Sequence, residues 1–224
     1  MIFKKAQEIL TISVDQENLT FCSWNLSNDK LTFHVVYQYQ LEHAILNLII
    51  FNYTKIENVI KDFLEQNKID NPKVYLSLDS SLLDECLFNN SHDQEDNVNY
   101  EQICLDQDKQ LYYRVGIKQV LLFQYQLLFM KHVRGSFSGN GLKLNLIKIS
   151  TDLVSLLNIN NQNYYKKSLS VNEFKNNILN SINFDFGKYI TNMSAIENLD
   201  KLTLIKSIGL FLSPGHPDPS TSSG

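Results

Sequence analysis

The side chains in this sequence that could hold a metal ion are widely scattered. Cys86, His92, Cys104 and His132 are of types that bind zinc, but their spacings are irregular and no two form a close pair. Zinc sites usually take their ligands in closely spaced pairs. We therefore predict polar and core roles for these four residues rather than a metal site.

Nucleophile and phosphate-binding motifs are also missing from the sequence. It contains no G-x-S-x-G, G-x-x-x-x-G-K-[ST] or G-x-G-x-x-G pattern. The segment Gly135-Ser-Phe-Ser-Gly139 is predicted to follow a helix, so we interpret it as a linker and not as a nucleophile elbow. His34 and His43 flank apolar strand residues, and we expect them to be partly buried structural histidines.

Composition limits the class of protein. The chain has 224 residues, of which 43% are hydrophobic and 20% charged, as expected for one globular domain with or without a helical appendage. Its net charge is −4 and its only arginines are Arg114 and Arg134, which makes extended nucleic acid a poor partner. No apolar run reaches the about 18 residues of a membrane span, and the first residues do not form a secretory signal. We expect a cytosolic protein.

The first part of the chain predicts a small antiparallel meander followed by a helix. Apolar residues alternate in three stretches within 10–37, with short polar breaks at 16–18 and 25–29. Thr54–Glu57 matches a capping box, and it precedes a helical stripe formed by Ile56, Val59, Ile60, Phe63 and Leu64. The strand Lys73–Leu78 should then return parallel to the first strand.

The second part predicts fewer strands and more helix. Residues 79–110 are acidic and polar and are interpreted as a loop or insertion, followed by a strand at 111–116. A buried helix is predicted over 117–133 and a strand over 142–149. Three further helices are predicted: one capped by Ser150 or Thr151 and ending at Leu157, one with a capping box at Ser170–Glu173, and one with a stripe at Leu202, Ile205, Ile208 and Leu212. The tail 213–224 is expected to be disordered.

This order of elements resembles the ribonuclease-H-like unit of actin-like ATPases, an α/β fold with a mixed sheet. Residues 56–88, 111–157 and 202–213 are similar to PilM-type actin-like proteins of type IV pilus assembly, which are related to the GspL-type cytoplasmic domains of type II secretion. The resemblance implies an actin-like domain over 1–157, with the insertion at 79–110, and a helical C-terminal part over 158–212. It also places Gly209 where close helix packing needs a small residue.

The same resemblance implies a degenerate and shortened relative. In the family, the first phosphate loop carries Asp, one residue, Gly and later Lys, because backbone amides surround the phosphate and Asp holds the metal through water. Ser13, Asp15 and Thr20 stand at those positions here, and no second phosphate loop follows Leu157. We expect no cofactor, no ATP or ADP binding and no enzymatic activity.

A partner protein is implied as well. In the family, the N-terminal peptide of a bitopic inner-membrane protein docks beside a small inserted subdomain, so a PilN-like peptide is the expected partner. The chain would then be a cytoplasmic scaffold, peripheral to the inner membrane through that partner, without inserting into the membrane itself. Candidate floor residues of the partner groove, which could equally be core residues of the sheet, are Val74, Leu76, Leu82, Leu83 and Leu87.

A ribonuclease-H-like fold also admits a metal-dependent nuclease as the alternative function. Two-metal cleavage needs carboxylates that converge from the first strand, the first helix and the fourth strand. Asp15, Glu57 and Asp79 are the nearest matches. Ser13 at the central first-strand position, a capping role for Glu57 and the shortage of arginine argue against this function.

Overall fold

The fold is described from a computed structural model of the chain. The residues that it describes are 7–28, 30–46, 49–83, 85–88, 100–106, 111–116, 145–159, 171–181 and 185–212. The predicted helix over 117–133 and the tail 213–224 lie outside these ranges, as does Ser170 of the predicted second capping box.

The N-terminal meander is confirmed. Strands β1 (Gln7–Val14), β2 (Asn18–Ser27) and β3 (Lys30–Gln40) pair antiparallel in chain order. Alternation places Leu10, Ile12 and Val14 in one hydrophobic cluster, while Ile9 lies in the cluster on the opposite face. The sheet is therefore covered on both sides from its first strand onward.

Two parallel strands complete this sheet. Strand β6 (Lys73–Leu78) pairs parallel with β1, and β10 (Asn145–Thr151) pairs parallel with β6. The strand order is β10-β6-β1-β2-β3. An antiparallel meander extended by parallel strands on the side of its first strand is the ribonuclease-H-like arrangement that the sequence predicted. A short hairpin, β4 (Ile45–Leu46) with β5 (Ile49–Ile50), follows β3.

Helix α1 (Tyr53–Gln66) covers one face of the sheet. Its buried residues are the five of the predicted stripe, which is thereby confirmed. The predicted capping box is wrong, because the N-cap residue is Asn52, whose side chain accepts a hydrogen bond of 2.9 Å from the Lys55 amide. Thr54 already lies inside the helix, so Glu57 cannot have the capping role that we assigned to it.

Replacing Asn52 by alanine should cost about 1 kcal/mol of unfolding free energy, since the Lys55 amide loses its acceptor. Thr54→Ala tests the competing capping-box assignment and should have the smaller effect. Urea unfolding of both variants gives the comparison. A larger loss for Thr54→Ala would contradict the cap at Asn52.

The opposite face is covered by helices from the C-terminal part. They are α2 (Asp152–Ile159), α3 (Val171–Ser181) and α4 (Lys201–Leu212). Ile205 and Ile208 of the predicted stripe are fully buried in the second hydrophobic cluster, beside Leu153 and Leu156 of α2. Short 3-10 turns at Phe186–Lys188 and Met193–Ile196 precede α4. Among the described residues, no helix is both long and apolar enough to cross a membrane.

The region predicted as an acidic loop contains a second sheet. Strands β7 (Glu85–Phe88), β8 (Tyr100–Asp106) and β9 (Leu111–Gly116) pair antiparallel in the order β7-β9-β8. The strand at 111–116 is confirmed, but it belongs to this small sheet. Of the two alternatives for 79–110, the loop is wrong, because Glu85–Phe88 and Tyr100–Asp106 are strands. That the segment is an insertion stays a prediction. Tyr100–Asp106 has its strand partner in β9, which comes later in the chain.

Candidate functional site

Three aspartates follow three neighbouring strands of the main sheet, at the carboxyl ends of those strands. Across the register, Val14 lies opposite Leu78 and Leu78 lies opposite Thr151. These residues end the parallel strands β1, β6 and β10, so Asp15, Asp79 and Asp152 each come directly after an aligned strand end. The carboxyl ends of parallel strands are where α/β folds usually place their binding sites.

Two lysines from the C-terminal helices converge on this edge. Lys206 of α4 places its Nζ 2.5 Å from Asp152 Oδ2 and 3.6 Å from Asp79 Oδ2. Lys175 of α3 places its Nζ 3.6 Å from Asp79 Oδ2 and 3.8 Å from Asp152 Oδ2. We call Asp79, Asp152, Lys175 and Lys206 the charge cluster. Its two ammonium groups balance its two carboxylates.

Hydrogen bonds hold the carboxylates in place. The Ser77 hydroxyl donates to Asp152 Oδ1 at 2.6 Å, and the Ser81 amide donates to Asp79 Oδ1 at 2.9 Å. Lys175 also donates to the Ser80 hydroxyl at 2.6 Å. Only 1% of Asp152 is exposed, so this carboxylate depends on protein groups and not on bulk water for its stabilisation.

The two carboxylates titrate differently. Burial raises the pKa of Asp152 to about 7, against the opposing effect of the nearby Lys206 ammonium. Burial would raise the pKa of Asp79 too, but hydrogen bonds from Asp152 and the Ser81 amide, together with Lys175 and Lys206, lower it well below its usual range. Burial disfavours the Lys206 ammonium, yet Asp152 more than offsets this and raises the pKa of Lys206. Asp79 therefore stays ionised under conditions in which Asp152 can accept a proton.

Asp15, at the predicted Gly position of the first phosphate loop, binds its own turn. Its Oδ1 accepts hydrogen bonds of 2.7 Å from the amides of both Glu17 and Asn18. Ser13 and Thr20, the other two residues of this predicted loop, are opposite each other in the β1–β2 ladder. The turn amides that could have held a phosphate thus already donate to a carboxylate of the chain.

The carboxylates proposed for a nuclease do not form a metal site. No three or more His, Cys, Asp or Glu side chains in the described part of the chain lie close enough together to hold a metal ion. Asp79 instead caps the 3-10 turn Ser80–Leu82 and faces two lysines, while Glu57 lies on α1. The Lys175 and Lys206 ammonium groups beside Asp79 and Asp152 would repel a divalent cation. These carboxylates therefore do not fit a metal site.

Three of the five groove candidates are core residues. Val74 and Leu76 are almost fully buried in the cluster under α1, because β6 is an inner strand whose two faces are both covered. Leu82, in the 3-10 turn after β6, is buried in the same cluster. For these three residues, burial supports the alternative that they are core residues of the sheet. Leu83 is partly buried and packs against both hydrophobic clusters. Leu87 belongs to β7, and its side chain lies outside the described part of the structure.

The charge cluster was largely missed from the sequence. Asp79 was selected as the fourth-strand carboxylate of a nuclease. Asp152 was missed because the predicted strand ended at residue 149, whereas the structure ends it at Thr151, directly before Asp152. Lys175 and Lys206 carried no such signal, since lysines on amphipathic helices usually face water. Their role depends on how α3 and α4 pack.

No protein-family model and no curated protein sequence matches the chain. Among solved structures, it is similar to the cytoplasmic domain of EpsL, an inner membrane component of the type II secretion system of Vibrio cholerae, with 13% identity over 70% of this chain and a TM-score of 0.42. It is also similar to a Bacteroides thetaiotaomicron protein with an actin-like ATPase fold, with 15% identity over 70% of this chain and a TM-score of 0.37.

A third similar structure is a PilM-PilN type IV pilus biogenesis complex, with 9% identity over 66% of this chain and a TM-score of 0.41. The matched region spans 60%, 56% and 48% of those three chains, which is less than two thirds of each.

Proposed function

We propose that this chain is a scaffold or adaptor that acts through protein contacts and does not hydrolyse ATP. The observation that carries the proposal is the charge cluster. Lys175 and Lys206 neutralise Asp79 and Asp152 at the sheet edge where a ribonuclease-H-like protein would place its chemistry. A carboxylate paired with a lysine is a poor ligand for magnesium.

Nucleotide binding is disfavoured by the first turn. Phosphate is usually held by backbone amides that have no other acceptor, but the amides of Glu17 and Asn18 donate to Asp15. A phosphate at this turn would have to displace a carboxylate that is covalently fixed beside those amides. The two like charges would also repel each other.

Calorimetry with Mg-ATP should therefore show no saturable binding below about 100 μM, a limit that corresponds to about −5.5 kcal/mol of binding free energy. The Asp15→Gly variant, which frees the turn amides, provides the matched comparison. Tight binding by the unaltered chain, or turnover of ATP, would overturn the non-hydrolysing part of the proposal.

The proposed setting is a type IV pilus or type II secretion assembly at the cytoplasmic side of the inner membrane. Its support is the resemblance of residues 56–88, 111–157 and 202–213 to PilM-type proteins. We propose a bitopic membrane protein of the PilN type as the partner that holds the chain at the membrane. Affinity purification of the tagged chain from its source cell should recover such a protein. If repeated purifications recover no pilus or secretion component, the proposed setting is wrong.

We place the partner contact beside the small sheet. The 3-10 turn Ser80–Leu82 leads into β7, and Leu83 and Leu87 are the groove candidates that remain after the core assignments. A photo-cross-linking residue at Leu87 should capture the partner in cells. The same residue at Lys61, an exposed position of helix α1, should not capture it, so equal capture at both positions would argue against a partner site at this sheet.

A further inference from the structure

The outer edge of β3 is the feature that carries a further inference. In the five-stranded sheet β3 is the last strand, so one side of its backbone faces away from β2. The start of this edge is covered: Leu31 exchanges hydrogen bonds with Tyr189 and Thr191, at 2.8 and 3.0 Å. The Asn192 side chain then bonds both the amide and the carbonyl of Phe33, each at 2.8 Å.

Beyond Phe33 the edge is open among the described residues. No hydrogen bond from those residues reaches the outward side of the backbone between 34 and 40. Strand β3 ends at Gln40, and the chain then turns away through Glu42 and His43, whose φ angles are 44° and 63°. The open edge therefore begins after Phe33, which Asn192 covers, and ends at the turn that follows Gln40.

A bulge determines which amides face outward on this segment. The register passes from Trp24 opposite Phe33 to Ser23 opposite Val35, which leaves His34 as an extra residue. Leu31 and Phe33 direct their backbone groups outward, and the extra residue shifts the alternation by one. Val36, Gln38 and Gln40 therefore present the free amides and carbonyls.

This segment lacks the usual protection of an exposed edge. Natural edge strands are commonly blocked by lysine, other charged residues or proline. Residues 31–41 read Leu-Thr-Phe-His-Val-Val-Tyr-Gln-Tyr-Gln-Leu and contain none of these. In addition, Tyr37 leaves 51% of its surface exposed in the middle of the segment.

We infer that two copies of this chain pair antiparallel through residues 34–40 of β3, around a two-fold axis at Tyr37. With that axis, Val36 of one copy lies opposite Gln38 of the other, and their outward backbone groups exchange both hydrogen bonds. Val35 lies opposite Tyr39, a β-branched and aromatic pair of the kind that stabilises sheets. No like charges meet across the axis, because the segment has none.

The two ends of the open segment also leave room for the second copy of the chain. The position opposite Phe33 would be residue 41 of the second copy, which lies beyond the end of β3 at Gln40 and directly before the turn at Glu42 and His43. The covered start of β3 and the 189–192 segment therefore do not obstruct the pairing. Val35 and Tyr39 pack against the cluster under α1, and the Tyr37 ring lies 6.4 Å from that of Phe63, so the pairing joins two apolar stripes.

Sedimentation of the full chain across the micromolar range tests the inference. We expect a reversible dimer that Tyr37→Lys and Tyr37→Glu each abolish, because like charges would face each other across the axis. Tyr37→Phe is the matched control and should dimerise as the original chain does. An equimolar mixture of the Lys and Glu variants should recover a heterodimer, which only direct opposition of the two residues 37 explains.

Gln38→Pro provides a second, independent variant. It removes an outward amide without touching the β2 ladder, and proline is tolerated at such edge positions. We expect a monomer with a retained thermal unfolding transition. A chain that is monomeric at every concentration, or a dimer that survives both Tyr37→Lys and Gln38→Pro, would overturn the inference, as would failure of the mixed variants to associate.

Discussion

Replacing Gly209 by alanine should destabilise the fold by about 2 kcal/mol or more. A Cβ atom at this position would lie 2.0 Å from the carbonyl oxygen of Ser155 and 2.8 Å from its Cα. These are backbone atoms of α2, so the clash can be relieved only by moving α2 and α4 apart. Overpacking of this kind costs about 3 kcal/mol, which exceeds the about 1 kcal/mol that alanine gains over glycine in a helix.

The matched control is Gly187→Ala. A Cβ at Gly187 would meet Asp185 Oδ1 at 3.2 Å, a contact with the end of a side chain that can adjust. Its effect should stay below about 1 kcal/mol. Denaturant unfolding measures both variants. If Gly209→Ala unfolds at the same denaturant concentration as the original chain, the close contact between α2 and α4 is wrong.

Gly209 also illustrates what the sequence could predict. The resemblance to PilM-type proteins placed a small residue at this point of the last helix, and the structure shows the backbone contact that requires it. The meander, helix α1, strand β6 and the last helix were predicted because their apolar residues repeat at periods of 2 or 3.6. Such periodicity depends only on neighbours in the chain.

The remaining features depend on partners distant in the chain. Strand β8 lies in an acidic segment and is a strand only through its pairing with β9. The cap at Asn52 differs from the predicted one because both Asn52 and Thr54 are good N-cap residues, and the turn before α1 decides between them. Lys175 and Lys206 meet Asp79 across many intervening residues, and no local pattern distinguishes them from exposed lysines.

Lys206→Met should have the second large effect, and its dependence on pH identifies the cause. The Lys206 side chain is 14% exposed and contacts Asp152, which is 1% exposed. Removing one partner of a buried ion pair leaves the other charge without compensation and costs about 3 kcal/mol at neutral to alkaline pH. Lys61→Met is the control, because the Lys61–Glu65 pair is largely exposed and should contribute less than about 0.5 kcal/mol.

The sign of the pH dependence follows from the raised pKa of Asp152. This carboxyl has a pKa of about 7 in the folded chain and an ordinary value of 3.8, so between these values the folded state holds more protons than the unfolded state. Its ionisation therefore costs stability as pH rises through this window. Lys206 normally lowers that pKa, so Lys206→Met should raise it further and extend the loss to higher pH.

The free energy lost in Lys206→Met should consequently be smaller near about pH 5, where Asp152 is protonated with or without the lysine, than near about pH 8.5. Adding Asp152→Asn to Lys206→Met should restore most of the stability at the higher pH, because the amide keeps the size of the carboxyl group and carries no charge. Unfolding by urea at both pH values measures the four chains of this cycle. A loss that is equal at the two pH values and unaffected by Asp152→Asn would mean that Lys206 acts by packing alone, and the charge cluster would then not be the feature that neutralises this edge of the sheet.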